Sequence, residues 1–460
     1  MLHVVLVTKS DAGALGDLGA FINVSEHNSV PCFYSGEIST RFYGTSREWP
    51  SFTVSLARRG SLAIESEYHN LNKSPFFFVG AVNFLKAIRV LVACPTLTEA
   101  RLHPDAASWE ENNVTPWSED LLSEVFTLLR SSPSLTCFQF IFFRTLHYAL
   151  YCKHMQTLVC ENPRLETLWV TAGRPNFVAF AKAIAVCLSR NTVLKSFTLS
   201  IPPTEYKLNQ ESLEMLLSPF TSSSPSEANA NLKELALYFQ YLDGYCVDAI
   251  ANLVCRNTTL KKLDLRFSRF WSGLEDGKSS WREFYRALEV NQTLEELSCP
   301  CEIAELRELL VPVVPDRYGR QPNTTLSTLR LSVSKEVHGR WLEVQMNKIL
   351  VVVLRDLAFA LQSNTTFKHV QFEFKSVEYG NYQQDGVKYI TDKNLWQEKS
   401  RIQEILRMMI DNELRENTSL ESLAVGHWSL LRVGTEWQTC YRGPCLRGQK
   451  EYNVKVKITP

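Results

Sequence analysis

The 460-residue chain has no excess of charge of either sign: Lys plus Arg and Asp plus Glu number 49 each, giving a formal net charge of zero. Proteins that hold nucleic acid as their main ligand carry a basic surplus, so no nucleic acid is expected here. Long apolar runs are also missing. The strongest, Ile349 to Leu354, is stopped by Arg355, whereas a bilayer takes about 20 apolar residues, so no membrane span is expected. The opening run Leu2 to Thr8 is too short for a signal-peptide core and has no basic lead.

Catalytic signatures are absent as well. There is no G-x4-G-K-[ST] phosphate loop, no H-E-x-x-H, no G-x-S-x-G and no kinase set, so the chain reads as no enzyme and needs no cofactor. Gly13, Gly16 and Gly19 are spaced G-x-x-G-x-x-G rather than G-x-G-x-x-G, which makes them a poor dinucleotide turn. Among the twelve cysteines no C-x2-C pair occurs, and Cys299-x-Cys301 and Cys440-x4-Cys445 lack paired zinc spacing. Cys94, Cys160, Cys187 and Cys255 fall at the ends of helix-like segments among apolar residues, where thiols act as small buried hydrophobes. Reduced cysteine implies a cytoplasmic setting. His147 and His154, seven apart on a helix-like run, could share a face and bind a metal, but an ordinary packed or surface pair is the better reading.

What the chain does have is repetition. Asn257-Thr-Thr-Leu260-Lys-Lys-Leu263-Asp-Leu265 recurs as N-x-x-L-x-x-L-x-L at Asn162, Asn191, Asn229, Asn291, Asn323, Asn364 and Asn417, with looser copies starting at Cys94 and Ser132. Starts lie at 94, 132, 162, 191, 229, 257, 291, 323, 364 and 417, so the spacing runs from 28 (257 minus 229) to 53 (417 minus 364). The floor is the structural unit and the excess is loop. A fixed period of this size dictates a stacked repeat architecture. The two final apolar places of the phrase are two apart and share one strand face. Before the phrase comes a run such as Tyr245 to Cys255, in which Val247, Ile250, Leu253 and Val254 fall on one side of a helix. The asparagine stands where that helix must stop, and it is expected to cap the helix C-terminus. Five of these asparagines, at 257, 291, 323, 364 and 417, begin Asn-x-Ser/Thr sequons. All five lie inside the phrase and are by-products of the repeat.

Phrase, period and full-helix partner together resemble the ribonuclease-inhibitor type of leucine-rich repeat, also found in NLR immune receptors and Ran GTPase-activating proteins. The resemblance covers roughly residues 80 to 426, and its best copy runs from Asp243-Gly244 through Ile250, Leu253, Asn257, Leu260, Leu263 and Leu265. It implies a horseshoe with a parallel inner sheet and outer helices. That family often has Asn or Cys eight residues beyond the first phrase leucine. Here the eight places hold Gly173, Pro202, Gln240, Ser268, Glu302, Ser334, Lys375 and Trp428, which leaves open whether an inner ladder of side-chain hydrogen bonds forms.

The expected class is therefore α/β: a leucine-rich-repeat solenoid of about ten repeats over 80–426, with a β-containing cap over 1–79 and a β cap over 427–460. Phe52 to Ala57 and Ser61 to Glu65 flank Arg58-Arg59-Gly60 as a hairpin, and Tyr452 to Ile458 alternates as a lysine-protected edge strand. Loop excess gathers at 202–210, 221–228, 268–280, 312–321 and 375–398. The free sheet face is expected to present Trp169, Thr198, Tyr238, Lys262, Arg266 and Arg330 as an anchor surface for a protein partner, since Trp, Tyr and Arg dominate interface hot spots. The expected role is a non-enzymatic interaction scaffold or sensor, monomeric when alone. The resemblance also allows two alternatives, a GTPase-activating partner of a small GTPase or the recognition part of a larger signalling protein.

Overall fold

The computed structural model describes short strands within 3–67, then 98–103, 119–142, 148–173, 177–201, 210–222, 229 with 231–242, 244–270, 277–301, 309–310, 323–334, parts of 354–375 and 404–425, 428–441 except 435, and 456–458. Gly13, Gly16, Gly19, the 58–60 turn, Cys94, His147 and most of the loop excess lie outside these residues. The chain forms two compact units, Met1–Gln240 and Tyr241–Pro460.

In the first unit the strands are β1 (His3–Val4), β2 (Val7–Thr8), β3 (Ile22–Asn23), β4 (Ile38–Phe42), β5 (Ser51–Ala57), β6 (Ser61–Glu67), β7 (Glu99–His103), β8 (Cys137–Phe142), β9 (Thr167–Ala172), β10 (Ser196–Ser200) and β11 (Glu234–Leu242). Its helices are α1 (Glu119–Arg130), α2 (Tyr148–Glu161), α3 (Phe177–Arg190) and α4 (Gln210–Thr221). β4, β5 and β6 pair antiparallel, with Ala57 opposite Ser61 as the hairpin reading requires. From β6 to β11 every pairing is parallel. Parallel neighbours need a crossover, and a helix supplies it between β8 and β9, β9 and β10, and β10 and β11.

The second unit repeats the scheme with α5 (Gly244–Arg256), β12 (Lys262–Phe270), α6 (Gly277–Val290), β13 (Glu296–Cys301), β14 (Thr328–Ser334), β15 (His369–Lys375) and β16 (Ser422–Val425). β12 to β16 are parallel. β17 (Trp428–Val433), β18 (Glu436–Tyr441) and β19 (Val456–Ile458) then continue antiparallel. Gly434, at φ 65°, makes the tight β17–β18 turn that a Cβ would strain. Strand and helix thus alternate as in an α/β leucine-rich-repeat solenoid.

The phrase leucines build the core. Leu165, Leu168, Val170, Leu194, Phe197, Leu232, Leu237, Leu263 and Leu297 are completely buried, and the helix stripe Val247, Ile250, Leu253 and Val254 is buried too. On β8 aromatics take over: Phe126 of α1 stands edge-on to Phe138 and Phe140, while Tyr151 of α2 does the same to Phe140 and Phe142. Edge-to-face pairs add about 0.5–1.5 kcal/mol each beyond area burial.

The asparagines do end the helices, as expected, but the side chain does most of the work. The backbone N–H of Asn191 still bonds the carbonyl four residues back, Cys187, and Asn257 and Asn291 do likewise to Leu253 and Ala287. Each Oδ1 then accepts the N–H groups two and three residues on, Thr293 and Leu294 at Asn291, which turns the chain into the strand. At Asn191, Asn229, Asn291, Asn323 and Asn417 the Nδ2 reaches back to the previous repeat. Asn291 donates to Val254 (2.7 Å) and Asn257 (3.3 Å), Asn323 to Leu288 and Asn291, and Asn417 to Leu361 and Asn364. In the first unit Asn191 donates to Val159, and Asn229 to Leu188 and Asn191. A ladder of side-chain hydrogen bonds exists, then, and it is built from the phrase's own asparagine at the strand start.

The ladder has defined ends. At its last rung the Asn417 carbonyl accepts Arg432 Nη1 at 2.6 Å, and the same guanidinium lies 5.6 Å from the Trp437 ring centre. Arg432 thus takes the place of the next asparagine. At the first rung Ser132 replaces asparagine, and both Ser132 Oγ and Asn162 Nδ2 are buried without a hydrogen bond.

Asn291 satisfies three buried backbone groups and one half-buried one, each costing about 1–3 kcal/mol if left unmade. Asn291→Ala is expected to lower unfolding free energy by about 3 kcal/mol or more, whereas Asn252→Ala, on the exposed side of α5, should change it by about 0.5 kcal/mol or less. Urea denaturation followed by circular dichroism measures both, and equal losses would remove the ladder from the account. By the same reasoning, Arg432→Met should cost at least about 1 kcal/mol.

Candidate functional site

Alternating strand residues leave the core on one side and face outward on the other. In the first unit the register aligns the outward residues into rows. The middle row is Arg101, Gln139, Trp169, Thr198 and Ala236, one per strand from β7 to β11. Trp169 is 40% exposed, the largest of these side chains, and Thr198 stands directly beside it on β10. Tyr238 is half-buried one row further along, in register with Ser200 and Thr171. The other row is Glu99, Cys137, Thr167, Ser196 and Glu234, with the Ser196 hydroxyl donating to Glu234 at 3.2 Å. From β9 to β11 these rows carry no cation and are rich in hydroxyls around one indole, with the Glu234 carboxylate at their margin.

Cys137 looks exposed to chemistry but is not set up for it. Burial, and then the Glu99 charge, push its thiol up to about 11, so it stays protonated at neutral pH.

The second unit carries the cations. Glu296 on β13 sits between Lys262 on β12 (3.8 Å) and Arg330 on β14 (3.3 Å). Asp264 and Arg266, two apart on β12, form a two-pronged pair at 2.9 and 3.2 Å. His369 Nδ1 meets the Ser422 hydroxyl at 2.9 Å, and its Nε2 lies 3.8 Å from Glu421. Lys262, Arg266 and Arg330 therefore all reach the outward face, as expected, but each arrives already holding a carboxylate. Asp264, Thr328 and Pro300, which hold alternate positions with these residues on β12, β14 and β13, are buried. Arg266 binds across the Asp264 carboxylate, and Thr328 is flanked in register by Glu296 and His369.

Arg101 and Gln139 extend the Trp169 row and were not among the expected site residues. Both stand seven beyond their phrase starts, Cys94 and Ser132, as Trp169 does beyond Asn162. Counting from the asparagine-free copies places them.

His154 sits on α2, stacked on Phe126 at 5.6 Å, with Nε2 buried and unbonded. No group of three or more His, Cys, Asp or Glu among the described residues could hold a metal ion. No helix among them is long and apolar enough to cross a membrane.

No protein-family model matches the chain, and no curated protein matches it. Among solved structures, the crystal structure of a TLR13–ssRNA13 complex is similar at 16% identity, covering 63% of this chain and 38% of that one, with a TM-score of 0.28. The aligned part thus spans well under half of that receptor chain. The fold rests on the register and the ladder, and the likeness carries nothing about ligand.

Burial lowers the His154 pKa, with Lys153 adding to this and Glu119 opposing it. A depressed folded pKa means full stability above the unfolded value near 6.5, lost as pH falls from there through the folded pKa. His154→Phe, which keeps the stacking, is expected to flatten the decline of melting temperature between about pH 6.5 and 5. Parallel melting curves of the two proteins across that range measure it.

Proposed function

We infer that the chain is a protein-binding module of the ribonuclease-inhibitor-like repeat type, and that the first unit's outward sheet face takes a polypeptide partner. One observation carries this: a Trp exposed in a registered row whose neighbours on β10 and β11, Thr198 and Ala236, are short. Adjacent parallel strands lie about 4.8 Å apart, so the space above Thr198 and Ala236 next to the indole is about 10 Å across, wide enough for one partner side chain. An aliphatic or aromatic side chain inserted there would bury the indole edge, and the surrounding Thr and Ser hydroxyls would meet main-chain amides.

The charge pattern supports the same class of ligand. The β9–β11 rows offer no cation for a phosphate backbone, and in the second unit Lys262 and Arg330 share Glu296 while Arg266 pairs with Asp264. Paired surface charges of this kind add little affinity but select a partner by complementarity.

Trp169 contributes little to the core, so Trp169→Ala should change stability by about 0.5 kcal/mol or less while weakening capture of the main protein partner at least about tenfold. Thr198→Arg, which fills the adjacent space, should weaken it comparably, and Arg266→Glu tests the second face separately by repelling Asp264. Thermal melts paired with quantitative pull-down separate the effects. Normal capture by Trp169→Ala and Thr198→Arg would place the working surface elsewhere.

A further inference from the structure

A second surface lies on the outward face of the second unit. The register sets Lys262, Glu296, Thr328, His369, Ser422 and Leu431 in one row from β12 to β17, with Arg330, Gln371, Ala424 and Ser429 in the row beside it. Charge does not balance at the start of these rows. Lys262 Nζ and Arg330 Nη1 both approach Glu296 Oε2, at 3.8 and 3.3 Å, so two cations share one oxygen of a single carboxylate. Arg266 leaves that surplus unchanged, because it takes both oxygens of Asp264. Arg330 commits only Nη1 among the described residues, and its side chain is 44% exposed. A guanidinium carries five N–H donors in a planar fork, so the remaining donors suit a second carboxylate bound at two points.

The far end of the face is apolar. Leu431 and Val433 alternate on β17 and are 47% and 50% exposed, while the core takes Leu430 from the same strand. Between the two ends the floor is low. Thr328 is buried and Ser422 and Ala424 are short, with His369 and Gln371 as the larger polar side chains beside them.

We propose that this face binds an extended segment of a partner protein, with an Asp or Glu carboxylate on Arg330 and Lys262 and an aliphatic side chain on Leu431 and Val433. Strand spacing sets the motif. β14 and β17 are three strands apart, about 14 Å at about 4.8 Å per strand, and an extended chain rises about 3.3 Å per residue, so acid and aliphatic stand about four residues apart. Glu421 decides which end is which. It lies at the start of β16, 3.8 Å from His369 Nε2, and its charge repels an acid from the Leu431 end. The surplus cation selects this segment over a basic one, and the aliphatic contact supplies the buried area. The site lies wholly in the second unit and is independent of the Trp169 row.

The test presents the full chain at low salt to a displayed library of short random peptides, then measures labelled copies of the enriched ones by fluorescence anisotropy. Asp or Glu followed or preceded by Leu, Ile or Val about four residues away is the expected motif. Selection on the Trp169→Ala chain separates this site from the first unit's face, since peptides for β14–β17 bind that variant undiminished. Arg330→Gln, which leaves Glu296 its Lys262 partner, and Leu431→Ser should each weaken these peptides at least about tenfold with the melting temperature nearly unchanged. Added salt should weaken them on the intact chain more than on Arg330→Gln. A basic or uncharged motif, no enriched motif at all, or acidic–aliphatic binding that survives either substitution overturns the assignment. So does single-stranded RNA binding that Arg330→Gln abolishes, which would make the surplus charge a phosphate site.

Discussion

Everything in the repeat hangs on one buried primary amide. At the junction of helix and strand the backbone must turn inside the protein, away from water, and its polar groups have to be met locally. An asparagine side chain has an acceptor and two donors on one short stem, so it can hold the turn of its own repeat and the helix end of the one before. Asn291 and Asn323 do both at once. Aspartate would put a charge against two carbonyl oxygens, and serine is too short, which is what the unbonded Ser132 Oγ shows. Stacking is enforced because the helix-end carbonyls of one repeat, Val254 and Asn257 for example, are met by the asparagine of the next.

Fixing the strand starts in this way also fixes the register, and register decides which side chains are neighbours on the outward face. At each start one carbonyl takes two successive N–H groups of the following strand, as Glu166 does for Lys195 and Ser196, and Lys261 does for Glu295 and Glu296. A one-residue slip would bury Trp169 and expose Leu168 and Val170. The exposed indole is therefore a consequence of the ladder. So is the charge network of the second unit, where equal register brings Lys262, Glu296 and Thr328 side by side.

Most of the fold was legible because helix and strand periods differ and the phrase contains both. The stripe Val247, Ile250, Leu253 and Val254 and the pair Leu263 and Leu265 are all buried, as their spacing implied. The hairpin of β5 and β6 followed from its glycine turn. What spacing could not show was the second function of the asparagine amide, because a hydrogen bond to a residue 34 positions away has no local pattern. The site was half legible for the same reason. Alternation identified Trp169, Thr198 and Arg330 as outward, but the carboxylates that hold the cations, Glu296 and Asp264, emerge only when strands are aligned.

The ladder also explains the five sequons. Asn257, Asn291, Asn323 and Asn364 are followed two residues later by threonine and Asn417 by serine, and in every case that hydroxyl donates back to the asparagine Oδ1, at 3.1–3.4 Å. Thr293 and Thr325 reach further, to the carbonyls of Asn257 and Leu294 in the preceding repeat. The hydroxyl residue is thus selected by the turn. A glycan would have to be attached to an Nδ2 that at Asn291, Asn323 and Asn417 is buried and already donates to two carbonyls. Attachment there requires breaking the stack, so in the folded chain these sequons report the geometry of the repeat and carry no information about the compartment it occupies.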